Sequence, residues 1–190
     1  MNAPPRRQAT GGPGCGRLGA MRQLLLLRHA KSAWDDPALA DHARPLNARG
    51  RRAAAAMGAA LRGLGLQPEL VLVSSSRRTL QTLEGLGPLP GAPPVEPMDD
   101  LYLAPWTRLL EAVRELPETV GSVLLIAHNP GLHDLALALA ASPPGGVLTE
   151  AYPTASLAEF AIGGSWASLA QGGGELVRFL QPGDLPEMAA

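Results

Sequence analysis

Three stretches of this chain end an apolar run on residues that bind, or could attack, a phosphoryl group. Leu24-Leu25-Leu26-Leu27 stops abruptly at Arg28-His29. Leu70-Val71-Leu72-Val73 runs into Ser74 and then Arg77-Arg78. Val123-Leu124-Leu125-Ile126-Ala127 runs into His128. A guanidinium stays charged and its planar fork binds phosphate through two parallel hydrogen bonds. A neutral imidazole offers a lone pair for attack once its other nitrogen is hydrogen-bonded. Ligands of open α/β sheets bind outside the carboxyl ends of the strands. If the three strands are parallel neighbours, Arg28, His29, an Arg of the 77–78 pair and His128 converge on one crevice. Two guanidiniums and two imidazoles there describe a site for a phosphate dianion.

The elements that must position these residues follow from the pattern. Four consecutive leucines fit a strand buried on both faces, as in the middle of a parallel sheet. Strands are expected over 22–27, 70–73, 95–98, 122–127, 156–162 and 175–180. Asn47 is a plausible N-cap for a helix over 48–64, which Gly65 ends. Further helices are expected over 77–86, from Pro105 to 116, and over 132–140. Strands alternating with helices give an α/β fold, a three-layer sandwich with a mostly parallel sheet flanked by helices. The two late strands have no helix between them and would add an antiparallel edge. The connection from His29 to Leu46 is long, which marks it as a functional loop.

Length and composition narrow the classes. A chain of 190 residues is one domain of ordinary size. A net charge of −1 gives no basic excess for nucleic acid or an anionic membrane. No apolar run reaches the length of a membrane span. Cys15 is alone, which excludes a disulfide framework or a cysteine zinc site within one chain and fits a cytoplasmic, reducing compartment. The basic residues are 15 Arg and one Lys, so Lys31, two residues after His29, stands out. Residues 1–20 are rich in Gly, Pro and Arg, lack a secretory signal and are expected to be a disordered extension. The natural start is expected at Met21, the domain over 21–182, and a frayed tail over 183–190.

Together the motifs resemble those of the histidine phosphatase superfamily, which includes the phosphoglycerate mutases. Arg28-His29-Ala30-Lys31-Ser32 is similar to its Arg-His-Gly signature. Ser74-Ser75-Ser76-Arg77-Arg78-Thr79-Leu80-Gln81-Thr82 resembles its second motif, where an Arg stands four residues before the Thr of a Gln-Thr pair. That spacing selects Arg78. Ile126-Ala127-His128-Asn129-Pro130 resembles its third motif, and Arg44-Pro45-Leu46-Asn47 resembles the Arg-Pro-Leu-Thr segment of the SixA-type phosphohistidine phosphatases. The resemblance spans residues 22–140, with the motifs in the family's order.

By that resemblance His29 is the nucleophile and becomes phosphohistidine, while Arg28, Arg78 and His128 bind the phosphoryl oxygens. No metal or cofactor is needed when guanidiniums supply the positive charge. Ser32 would contact the substrate, and Arg44 is either a pocket wall or a surface charge. Asp99 or Asp100 stands where many relatives carry a proton donor; Asp100 is the candidate, with turn capping as its alternative. His42, His133 and the Arg77 side chain are expected to be structural or solvated, and Trp34, Trp106 and Trp166 to be packing residues. Two positions depart from the pattern. Ala30 replaces the usual Gly, and Asp35 puts a carboxylate where it would repel phosphate unless it points away or is protonated. The expected activity is a SixA-like protein phosphohistidine phosphatase. The rivals are a phosphatase of a small phosphorylated metabolite, and a non-catalytic phosphate-binding module. The expected partner is accordingly a phosphorylated protein or a small phosphorylated substrate.

Overall fold

The computed structural model describes residues 21–185. The expectations for residues 1–20 and 186–190 lie outside the described residues. Six strands form one sheet: β1 (Arg22–Arg28), β2 (Leu70–Ser74), β3 (Val95–Met98), β4 (Ser122–Ala127), β5 (Leu157–Ile162) and β6 (Gly174–Leu180). Their spatial order is β3-β2-β4-β1-β5-β6. The first four pair in parallel, and β5 and β6 extend the sheet antiparallel beyond β1. The helices are α1 (Ala48–Gly63), α2 (Arg77–Gly85), α3 (Trp106–Arg114), α4 (Gly131–Leu139) and the single turn α5 (Val147–Glu150). Four residues are too few to show a helical period, so nothing in the sequence announces α5.

The leucine run explains the layering. All four side chains are fully buried. Side chains alternate across a strand, so Leu24 and Leu26 meet Leu109, Val113 and Leu135 of α3 and α4. Leu25 and Leu27 meet Met57 and Leu61 of α1 and Leu86 beyond α2. Burying one such side chain contributes roughly 1.5–3 kcal/mol, so β1 anchors both layers at once.

This arrangement creates the crevice. β1 and β4 are parallel neighbours, yet the chain leaves β1 for α1 on one face and leaves β4 for α4 on the other. The two connections diverge and open a gap at the carboxyl ends of the strands, the topological switch point where open α/β sheets bind ligands. Helix α1 starts where the sequence places it: the Asn47 side chain accepts from the Gly50 N–H at 2.8 Å. Gly50 itself lies so close to the β1–α1 loop that an added Cβ would fall 2.1 Å from the Lys31 carbonyl oxygen. Pro182–Asp184 form a 3-10 turn, and Leu185 is buried in the core beneath α1.

Candidate active site

His29 and His128 leave adjacent strands, β1 and β4, and their rings lie 5.0 Å apart between centroids. His29 Nδ1 is 2.8 Å from the Ala30 carbonyl oxygen. A carbonyl only accepts, so Nδ1 carries the proton and Nε2 keeps the lone pair. His128 Nε2 meets the Ser74 hydroxyl at 2.8 Å, and its buried Nδ1 has no partner among the described residues. Burial pushes His29 down to about 4, against its bond to Ala30, and the nearby Arg78 and Arg28 cations lower it further. Burial likewise pushes His128 down to about 3, with His29 and Arg78 adding to the effect. Both rings are therefore neutral at pH 7.

Arg78 is only 4% exposed, whereas Arg77 is solvated. The guanidinium of Arg28 donates to the Tyr152 carbonyl at 2.6 Å. Its burial and the neighbouring Arg78 charge lower its proton affinity. Two like charges held together favour an anion between them.

The sequence between the motifs explains how these groups stay in place. The Thr82 hydroxyl accepts from the Ala30 N–H at 2.9 Å and donates to the Arg78 carbonyl at 2.6 Å, which ties the nucleophile's loop to the helix carrying Arg78. Gln81 accepts from the Leu46 N–H at 2.7 Å and holds the far end of the same loop. Tyr152, fully buried, donates to the Leu26 carbonyl at 2.6 Å, while its own carbonyl receives Arg28 and the Asn129 amide. Ala30 is buried and lies outside the left-handed backbone region, so this position does not require a glycine here.

Around this floor a cavity of about 310 Å³ is lined by Arg28, His29 and Arg78 below and by Lys31, Ser32, Trp34, Asp41, Leu103 and Thr154 above. Asp41 belongs to a 3-10 turn, Asp41–Ala43, within the long β1–α1 loop. Its carboxylate reaches Arg78 Nη2 at 3.0 Å and accepts from the Tyr102 hydroxyl at 2.5 Å, while its backbone carbonyl accepts from Arg78 Nη1 at 2.7 Å. The Tyr102 hydrogen bond, followed by Arg78, holds this carboxyl below the usual range against a partial desolvation penalty. Neither Asp41 nor Tyr102 carries a motif signal; only the length of the loop hints at Asp41.

Ser32 stands on the cavity wall, but three other expected residues do not: His128 lies beside His29 without reaching the lining, and Asp100 and Arg44 are placed elsewhere. Asp100 faces outward and accepts from Arg108 of α3 at 2.6 and 2.8 Å. That ion pair removes it from the cluster, and Asp99 is also exposed. Arg44 lies instead with its guanidinium 3.7 Å from the centroid of the Trp34 ring. Trp34 corrects the packing expectation: it is 68% exposed at the cavity mouth, while Trp166 is fully buried. Asp35 is exposed and off the cavity wall. His42 meets the Ser75 hydroxyl at 3.2 Å, and His133 Nε2 lies 2.7 Å from the Leu148 carbonyl oxygen. Among the described residues no helix is long and apolar enough to cross a membrane.

Comparison with known proteins bears on this site. Residues 24–103 match the family model of the histidine phosphatase superfamily (branch 1). An uncharacterized protein of Mycobacterium tuberculosis is 33% identical over 161 residues, covering 82% of this chain and 99% of that protein. The phosphohistidine phosphatase SixA of Escherichia coli is 36% identical over 115 residues, covering 57% of this chain and 68% of its own. A solved structure assigned to phosphohistidine phosphatase SixA, from Nakamurella multipartitia, superimposes with a TM-score of 0.76 at 31% identity, covering 85% of this chain and 96% of that one.

Proposed function

This chain belongs to the histidine phosphatase superfamily, as a phosphatase of its SixA-type branch, and from that premise we propose that it hydrolyses phosphohistidine on a protein through a covalent phospho-His29 intermediate. The Nε2 lone pair of His29 attacks phosphorus. The phosphorus–nitrogen bond of the substrate breaks, and its electron pair returns to the leaving imidazole. Water then attacks phospho-His29, releasing inorganic phosphate and restoring the neutral ring. Arg28 and Arg78 hold the phosphoryl oxygens. With the Ser74 hydroxyl donating to His128 Nε2, the His128 Nδ1–H donates to a third oxygen. These groups are in place before charge develops, which is the main work a protein does in phosphoryl transfer.

The observation that carries this reading is the fixed tautomer of His29 beside two guanidiniums, with Nδ1 bound to the Ala30 carbonyl. Simple phosphate binding has no use for a nucleophilic nitrogen held free. The substrate class rests on the leaving group. An alkoxide needs a proton from a side-chain acid. The carboxyl on the cavity wall, Asp41, is kept ionised by Tyr102 and Arg78. A leaving imidazole that already carries a proton on its far nitrogen departs neutral and needs no such acid. This favours a phosphoramidate over an ester, and takes the place of a role for Asp100. The exposed rim suits a phosphoryl group displayed on a protein surface.

The test is hydrolysis of phosphohistidine and of an aryl phosphate, with chelator present, by wild type and His29→Ala. Turnover by wild type, preference for phosphohistidine and acid-labile, base-stable labelling of wild type alone are expected. Turnover that survives in His29→Ala overturns the mechanism. A preference for the ester overturns the substrate class.

A further inference from the structure

The mouth of the cavity carries two large apolar side chains that the chemistry of phosphate does not explain. Trp34 is 68% exposed and Leu103 is 50% exposed, and both line the same cavity as His29, Arg28 and Arg78. Elsewhere the aromatic side chains near the site are anchored by hydrogen bonds: Tyr102 to Asp41, Tyr152 to Leu26. Trp34 is held differently. The guanidinium of Arg44 lies 3.7 Å from its ring centroid, a cation–π contact. Arg44 is itself largely buried, and its Nε and Nη1 make no hydrogen bond among the described residues. Its Nε lies 3.9 Å from the Asp41 carboxylate, and its guanidinium stacks on the indole, which stiffens one side of the ring while leaving most of it in water. Leu103 comes from the β3–α3 connection and sits in the left-handed backbone region, at φ 49°. A leucine in that conformation is strained, and such strain gathers at functional sites.

We propose that Trp34, backed by Arg44, and Leu103 form a clamp for a planar ring bonded directly to the phosphoryl group, so that they select the leaving group while the floor of the cavity binds the phosphate. An imidazole carrying phosphorus on nitrogen is flat and partly apolar, and its ring begins one bond from the phosphorus. A ring standing on the floor site therefore emerges at the mouth, where the indole offers it an aromatic surface and Leu103 an apolar one. Offset stacking and the removal of these two side chains from water both favour it. The inference rests on the phosphohistidine reading above and assigns selectivity to the exposed residues.

The experiment compares three substrates with wild type and with Trp34→Ala, Trp34→Phe and Leu103→Ala: phosphohistidine, phenyl phosphate and phosphoramidate. The first two carry a ring next to the phosphoryl group; the third has the phosphorus–nitrogen bond and no ring. Trp34→Ala is expected to lower the ratio of kcat/KM for phosphohistidine to that for phosphoramidate about tenfold, mainly through KM. Trp34→Phe restores most of that ratio, and Leu103→Ala gives a smaller loss in the same direction. An unchanged ratio in Trp34→Ala overturns the clamp while leaving the His29 chemistry standing. If wild type turns over none of the three, the catalytic reading has failed, and the clamp is judged by binding alone. Phenyl phosphate should then change the Trp34 emission, assigned by its loss in Trp34→Phe, where inorganic phosphate does not. An equal response to both ligands overturns it.

Discussion

The floor and the rim of the cavity are built on different principles. The floor hangs on the core. His29, Arg78 and His128 are 8%, 4% and 1% exposed, and each follows directly from a strand or opens a helix. His29 bonds the Ala30 carbonyl and His128 the Ser74 hydroxyl, while the Arg78 guanidinium donates to the backbone carbonyl and carboxylate of Asp41. The rim hangs on three connections, β1–α1, β3–α3 and α5–β5, and is held by an ion pair, a stacked guanidinium and one phenol. Trp34 and Leu103 stand half exposed or more there, while Ser32 and Arg44 are largely buried. The difference teaches where tolerance lies. His29 and His128 cannot move without disturbing β1 or β4, nor Arg78 without disturbing the start of α2. A rim group can change with little effect on folding. Reaction type is thereby tied to the fold, and selectivity is left to the loops.

Substitutions that remove a floor charge should break this division most sharply. Arg78→Ala is expected to lower kcat/KM by about 10²–10³, the usual effect of removing one preorganised transition-state donor, and steady-state kinetics would show it. The neighbouring Arg77→Ala should change it less than about twofold, since that side chain is solvated. An equal loss in both would mean that the buried position of Arg78 carries no chemistry.

Acid should reveal the floor as a place of buried neutral rings. His29 and His128 titrate near 4 and 3 in the folded protein, below the ordinary 6.5. Between those values the unfolded chain binds more protons, so stability rises with pH there. The contribution is present in full above about pH 6.5 and is lost as pH falls towards 4 and then 3. Its size is a few kcal/mol at most for each ring. Urea midpoints measured at pH 7 and pH 4.5 should fall less for His128→Ala than for wild type. Equal falls would show that the ring is already solvated.

Asp41 sharpens the comparison, because it is the rim group that touches a floor cation. Asp41→Asn removes a negative charge from Arg78 but keeps the backbone carbonyl that holds Nη1 at 2.7 Å. Inorganic phosphate should then inhibit at concentrations up to about fivefold lower, the range of a partly exposed ion pair. Weaker inhibition would mean that the carboxylate positions Arg78 more than it competes with phosphate. The smallest effect is expected at Asp100. Its ion pair with Arg108 is solvent-exposed, so Asp100→Asn should leave kcat within about twofold and stability within about 1 kcal/mol. A large fall in kcat on esters would restore it as a proton donor.

The sequence alone determined the sheet, its parallel centre and the cluster of cations and imidazoles at its carboxyl edge. These were legible because strand periodicity and strand-end residue types are local signals: Leu24–Leu27 could be buried only on both faces, and the residues after such strands must meet at the switch point. The N-cap Asn47 was legible for the same reason. The tertiary structure alone decided which carboxylate meets the guanidinium, Asp41 and not Asp35 or Asp100, and that Trp34 stands in solvent with Arg44 upon it. Those outcomes depend on the path of a connection from 29 to 46 with little regular structure of its own. Its course is set by contacts with Gln81, Arg78 and Tyr102, which lie 35, 37 and 61 residues away from their partners in the chain. A repeating pattern in the sequence can report a local conformation, but a single long-range hydrogen bond leaves no periodic trace.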